Sequence, residues 1–481
     1  MVFTSFNFLI FYILLIALYY TVPAKYRMFI LFLGSYFFYM NIKPVFAFLL
    51  AGVSISTYFI ALLIDRTKED SRKRTYLFTG ITLVLLPLFF YKYFGAINSQ
   101  LYTILKNFNL EYPITKISLI LPVGISFYTF TAISYIIDVY NEEIEPEKNF
   151  GVLVLFISFF PLILSGPIER AKNMLPQYRN LSGFNYNLAV QGMKYMLWGY
   201  FMKLVVADRI GIYVDAIFNN ISQHNGTTFL VASILYPFQV YADLGGYSLI
   251  AIGTANVLGI HVIQNFKRPF FATSMAEFWR RWHISLISWL TDYVYTPLSF
   301  TFRKYKIWGI VLALMVTFLI SGIWHGAGMT FIVWGLMQGT FLSLEALTSK
   351  RRALIRNKFN LNNNIFNILT IIFGTGYTFI LFAVSEIIDK AVNLHDAMII
   401  YTKIFTNTGP VFIGTPKQLI FIAIGLSMLL IKDFTNEYAP SGFQFYNNKR
   451  QSVRIFSYVS TSIIILLIGV FDGGQFIYFQ F

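Results

Sequence analysis

Runs of apolar residues broken by short polar stretches fill this chain from end to end. A run of about 17–25 such residues crosses a bilayer as a helix. The pattern predicts spans at Phe6–Val22, Val45–Ile64, Tyr76–Ile97, Ile117–Tyr140, Ile307–Trp324, Met329–Leu347, Phe366–Ile387, Lys417–Ile431 and Ile455–Phe471. Shorter or broken runs lie at Met28–Met40, Gly151–Leu164, Leu188–Val206, Phe229–Ala242 and Gly245–Ile260. They read as tilted spans, half-helices or re-entrant segments, which survive at membrane depth only where protein buries them or they line a cavity. The expected fold is all-α: a polytopic transmembrane helical bundle of roughly ten or more crossings, with re-entrant or broken helices around a central cavity. No hydrophilic stretch is long enough for a separate soluble domain, so residues 1–481 read as one membrane domain.

Composition agrees with the pattern. Hydrophobic residues make up 57% and charged residues 12%, about half the roughly 25% that covers a water-facing surface. A net charge of +15 would suit a nucleic-acid binder, but the basic residues sit in short loops beside apolar runs, as at Asp65–Arg74 and Lys350–Lys358. That is the positive-inside pattern, and no nucleic-acid partner is expected. It places the segments 65–75 and 350–358 in the cytoplasm and, by counting spans outward, both termini outside it. The chain has no cysteine, which excludes disulfides, thiolate metal ligands and a cysteine acyl-enzyme. The N-terminus lacks the charged start and small-residue cleavage site of a signal peptide, so the first apolar run is expected to remain as a helix.

The unusual residues lie between 158 and 345. The run Phe159–Arg170 ends an apolar segment with Pro161, Gly166, Pro167, Glu169 and Arg170. It reads equally as a helix stop with a surface turn or as a re-entrant loop that shapes a cavity. Further on, Ser274 and Glu277 have the spacing of a capping box, so a helix is expected to begin there. At 100° per residue, Glu277, Arg281, Ser285, Ser288 and Asp292 fall within roughly 80° of one another, and Trp279, His283, Leu286 and Leu290 fall opposite. His283 is then either a hydrogen-bonded core histidine of an interfacial helix or a functional group. The third feature is Ser321–Gly328, where His325 sits between two apolar spans with glycines on both sides. An ionisable residue in a membrane segment points to function; the plainer reading is a histidine at the lipid interface beside Trp324. Gly335 and Gly339 have the spacing of a close helix contact. His224, His261 and His395 are scattered, with no paired metal-ligand spacing, and no metal site is expected.

Taken in order, these features resemble the membrane-bound O-acyltransferase (MBOAT) family, and within it the bacterial alginate O-acetylation branch. The matching residues are Ser165-Gly166-Pro167-Ile168-Glu169-Arg170 with Pro176-Gln177, then Phe278-Trp279-Arg280-Arg281-Trp282-His283-Ile284-Ser285-Leu286, then Gly322-Ile323-Trp324-His325-Gly326, and the ending Gln475–Phe481. The resemblance implies that His325 is the catalytic histidine and His283 the second polar position that accompanies it. It also implies a multi-pass enzyme of the cell membrane that takes acetyl groups from a cytoplasmic donor, acetyl-CoA, and passes them toward an extracytoplasmic polysaccharide. A separate extracytoplasmic acetyltransferase is the expected partner protein.

The chemistry suits those residues independently. Acyl transfer to a hydroxyl needs a base for the alcohol proton, and histidine serves near neutral pH. The oxyanion needs a donor, which backbone N–H groups near Gly326 or the ring of His283 would supply. An acyl-serine or acyl-histidine intermediate stays open beside direct transfer. Two rival functions stand beside this one: transfer of D-alanyl or another acyl group to a carrier or wall polymer, and a transporter or flippase whose broken helices carry no chemistry.

Overall fold

A computed structural model of the chain describes residues 1–110, 119–181, 183–358, 364–440 and 444–471, with side chains described over the same residues except 355–358 and 364–365. Among the described residues the regular structure is helical. Seven helical stretches are long and apolar enough to cross a membrane: Phe46–Arg66, Asp70–Asn107, Ile307–His325, Met329–Leu354, Phe366–Lys390, Pro416–Tyr438 and Gln451–Ile468. Shorter apolar helices lie at Phe6–Thr21, Ile125–Tyr140 and Phe150–Ile163. Large apolar side chains such as Phe48, Leu86, Phe373 and Leu466 stand exposed on these helices. That surface suits a hydrocarbon solvent, in which only helices and closed barrels satisfy their backbone.

The chain clusters into two compact units. The first holds Met1–Met196 and Ile250–Ile263. Its helices are α1 (Phe6–Thr21), α2 (Ala24–Met40), α3 (Phe46–Arg66), α4 (Asp70–Leu88), α5 (Phe94–Asn107), α6 (Ile125–Tyr140), α7 (Phe150–Ser158), α8 (Phe160–Ile163), α9 (Ala171–Arg179) and most of α10 (Tyr186–Tyr200). Local chemistry sets several starts: Ser5 accepts from the Phe8 N–H and Asn149 from the Val152 N–H, each capping a helix. The buried hydroxyls of Ser54 and Thr57 are satisfied within their own helix, donating to the carbonyls of Leu50 and Val53. A π-helical turn over Phe89–Tyr93 joins α4 to α5 without a break.

The second unit holds Leu197–Leu249 and Gln264 onward. Its helices are α11 (Asp208–Phe218), the first part of α12 (Gly226–Val257), α13 (Met275–Arg281), α14 (Ile284–Leu290), α15 (Thr296–Thr301), α16 (Ile307–His325), α17 (Met329–Lys358), α18 (Asn364–Lys390), α19 (Leu394–Thr406), α20 (Pro416–Tyr438) and α21 (Gln451–Ile468). Three differences from the predicted boundaries stand out. The expected break between Phe229–Ala242 and Gly245–Ile260 is absent, because α12 runs through both as one helix of 32 residues. The single helix expected from Ser274 to Asp292 divides at Trp282–His283 into α13 and α14, followed by a π turn over Thr291–Tyr295. The basic segment from 350 continues α17 as helix to Lys358 and is not a loop. The ending Gln475–Phe481 lies outside the described residues.

Candidate active site

The first conspicuous motif is buried and is not a surface turn. Ser165 and Glu169 are buried, and Leu162, Ile163, Pro167, Ile168 and Glu169 line a cavity of about 10 Å³, room for a single water. Glu169 accepts from the Ile263 N–H at 2.7 Å and from the Asn173 amide at 2.9 Å. Burial raises its carboxyl above the ordinary range, and these bonds pull it back. Gln177 pairs with the backbone of His261 in both directions, accepting at 2.8 Å and donating at 3.0 Å. The motif is therefore a strap that fixes the segment leaving α12.

Two residues beyond Ile263, Asn265 belongs to the second unit and shapes the His283 backbone. Its carbonyl accepts from the Ile284 N–H at 2.8 Å, and its Oδ1 accepts from the Ser285 N–H at 3.1 Å and the Ser285 hydroxyl at 2.9 Å. These bonds satisfy the first donors of α14. His283 stands just before them in the left-handed region, with φ +43° and ψ +52°, an uncommon conformation for a residue with a Cβ. So His283 caps a helix break instead of riding on the face of one helix. Ser285, expected on the polar stripe, is buried against Asn265.

The capping box forms as expected. Ser274 Oγ accepts from the Glu277 N–H at 3.2 Å, while Glu277 Oε2 reaches one residue further back, to the Thr273 N–H and hydroxyl at 2.8 Å each. The i,i+4 pair also forms: Arg281 Nη2 lies 2.6 Å from Glu277 Oε1. Arg281 reaches Glu437 on α20 at 2.9 Å as well, and Glu437 accepts from Arg268 at 2.6 Å. The Ala276 N–H donates to Glu345 on α17 at 3.0 Å. α13, too short to span, is thus held to α17 and α20 by charge-assisted bonds.

His325 closes α16, with Gly326 after it. α17 returns against α16 at backbone contact distance. A Cβ on Gly335 would strike the Phe318 carbonyl oxygen, and one on Gly322 the Phe331 carbonyl oxygen. The close contact expected from Gly335 and Gly339 is real, with Gly339 facing Met315. It sets Trp334 beside His325, their ring centroids 4.8 Å apart at 65°. Trp324 lies on another side of His325 at 5.0 Å and 83°, and also faces His283 at 6.2 Å and 80°. His325 is half-buried and His283 is 2% exposed. The two histidines therefore share one aromatic frame, Trp324 touching both. Burial pushes the His283 pKa down to about 3, so its ring is neutral at physiological pH. Among the described residues no group of His, Asp and Glu is suited to hold a metal ion.

Sequence reasoning missed two buried charge clusters. Lys203, in a π-helical turn over Phe201–Ala207, lies 2.8 Å from Asp208 and 2.6 Å from Asp243. Glu386 on α18 accepts from the Trp334 indole N–H at 2.9 Å, and one turn on Asp389 accepts from the Tyr236 hydroxyl, also at 2.9 Å. A lone ionisable residue inside an apolar run was the available signal in each case.

The MBOAT, membrane-bound O-acyltransferase family profile matches residues 149–384, a stretch that contains both histidines and the Glu169 strap. A probable alginate O-acetylase AlgI from Pseudomonas putida is 35% identical over 415 residues, covering 84% of this chain and 80% of its own length. The chain belongs to the MBOAT family. It is an integral membrane O-acyltransferase that uses an acyl donor as cosubstrate, and the transporter alternative is set aside. A peptidoglycan O-acetyltransferase from Helicobacter pylori is 34% identical over 65% of this MBOAT chain and 63% of its own. A teichoic acid D-alanyltransferase from Streptococcus thermophilus is 28% identical over 61% of this chain and 69% of its own.

Proposed function

We propose that this enzyme moves acetyl groups from cytoplasmic acetyl-CoA toward a hydroxyl of an extracytoplasmic polysaccharide, with His325 as general base and His283 as its accompanying donor. The whole chain acts as one acyltransferase domain of the cell membrane, consistent with a path that leaves the first unit, returns to it and leaves again. The observation that carries the reading is the shared aromatic frame: Trp324 packs on both histidine rings, and Trp334 closes on His325.

The acceptor hydroxyl attacks the thioester carbonyl while His325 takes its proton. The tetrahedral intermediate collapses, the C–S bond breaks, and the proton passes to the departing thiolate. A base so placed contributes about 10²–10⁴-fold. His283, held neutral, has one N–H to offer and no positive charge to disperse. It suits donation to the developing oxyanion better than proton abstraction. A separate extracytoplasmic acetyltransferase receives the acetyl group and finishes the reaction on the sugar. The alginate and peptidoglycan O-acetylating relatives support the acetyl group and the polysaccharide acceptor. A D-alanyl group, as in the name of the Streptococcus relative, would appear as a different mass on the polymer.

The test is acetyl content of the polymer in cells carrying variants, normalised to membrane levels of the protein. His325→Ala should abolish transfer while the protein still inserts. His325→Gln should fail as well, because an amide cannot accept the proton at neutral pH. Near-normal acetylation by His325→Gln at normal protein levels would remove the base assignment.

A further inference from the structure

Glu386 plays no part in the chemistry above, yet it places a carboxyl group on a membrane-crossing helix, 3% exposed. Ionisable groups there are costly and are kept for a reason. Its Oε1 accepts the Trp334 indole N–H at 2.9 Å. Trp334 is also 3% exposed and forms one wall of the His325 ring site. On its other side Trp334 meets Trp279 edge-on, ring centroids 6.0 Å apart.

Helix adhesion alone does not call for this carboxyl group. One turn along α17, Gln338 donates to Ser385 at 2.7 Å, so α17 and α18 are already joined by a neutral bond at the neighbouring residue. What Glu386 adds is an acceptor oxygen aimed at an N–H whose direction is fixed by the indole plane. Holding that N–H fixes the rotation of the Trp334 side chain, and with it the wall against which the His325 imidazole rests.

We propose that Glu386 is a positioning residue for the transfer reaction, acting through the Trp334 indole to hold the His325 ring at its working angle. The inference rests on His325 being the base. A ring displaced by about 1 Å from its productive placement loses about 10²-fold in rate while substrate binding stays as it was. The signature is therefore a fall in kcat with KM for the donor unchanged.

The experiment measures initial rates of acetyl transfer to polymer over a range of acetyl-CoA concentrations, in membranes containing the full chain together with the partner acetyltransferase and normalised to the level of the chain. Glu386→Leu is expected to lower kcat about 10–100-fold with KM for acetyl-CoA unchanged. Glu386→Gln, which keeps an acceptor for the indole, should recover most of that loss. Trp334→Phe, which keeps a ring but has no N–H, should match Glu386→Leu. The double variant should be no worse than either single one, because the two residues act as a unit. Ser385→Ala, which removes the neighbouring bond between the same helices, should leave kcat in place. Three results would overturn the proposal: full turnover by Glu386→Leu, equal loss in Ser385→Ala, or no recovery in Glu386→Gln. If instead His325→Ala itself retains activity, the base assignment fails, and that outcome is separate from the other three.

Discussion

His283 is the residue whose chemistry depends most on its surroundings. Its backbone is held in the left-handed region by the bonds Asn265 makes to the next two residues, and its ring is excluded from water. The folded-state pKa of about 3 lies below the unfolded value of about 6.5. The unfolded chain therefore binds a proton below pH 6.5 that the folded chain refuses. The stability this neutral ring allows is fully present above pH 6.5 and drains away as pH falls from there toward 3. Between pH 8 and pH 5 that amounts to about 2 kcal/mol. Thermal unfolding in detergent should show wild type losing more stability over this range than His283→Gln, by about that amount. Equal slopes for the two would mean the ring is not buried as described. Acetyl transfer should fall in His283→Ala and persist in part in His283→Gln, which can still donate. That His283 mattered was legible in the residues around it. Its place at a helix break was not, because the break is made by Asn265, eighteen residues earlier, and helical periodicity carries no sign of so distant a partner.

At the scale of elements, the α16–α17 hairpin decides whether His325 and Trp334 meet. The two helices touch backbone to backbone at Gly322 and Gly335, so a methyl group there has no flexible side chain to push aside. Gly335→Ala should force the helices apart at a cost of about 1–3 kcal/mol, and acetyl transfer should fall further than protein level does. Gly376→Ala is the matched control: it also lies on a membrane-crossing helix, but nothing lies within 4 Å of where its Cβ would be. It should be neutral or slightly stabilising, since alanine favours helix over glycine by about 1 kcal/mol. Similar losses in both variants would mean that the hairpin contact has no special role. The small-residue spacing was readable in sequence, and so were the long apolar helices. A break was expected between Ala242 and Gly245, just before Gly245 and Gly246. There the glycines admit the neighbouring helix, Gly246 facing the Gly199 carbonyl and Gly245 the Met202 side chain, while α12 continues through. Sequence alone does not distinguish a glycine that bends a backbone from one that lets another backbone approach.

For the whole molecule, orientation in the membrane is the property on which the proposed scheme depends, since that scheme takes a cytoplasmic donor and an extracytoplasmic polymer. Charge argues for it. Arg66 closes α3, and Arg72, Lys73 and Arg74 open α4, so the turn between these two spans carries a dense positive charge. Lys350, Arg351 and Arg352 extend α17 beyond its apolar part. Basic segments beside spans tend to stay on the cytoplasmic side, and on that rule we propose that both segments lie there and the two termini outside. α17 continues as helix through its basic end instead of turning back as a loop. The absence of cysteine makes the test direct. Ser71 and Ser349 are both exposed, and a single cysteine at either should react with a membrane-permeant thiol reagent. Neither should react with an impermeant one until the cells are opened. Labelling of both from outside would invert the enzyme and put the donor on the wrong face. Labelling of only one would show that an odd number of spans lies between them, and the crossings between α4 and α17 would have to be reassigned before any path for the acetyl group could be drawn.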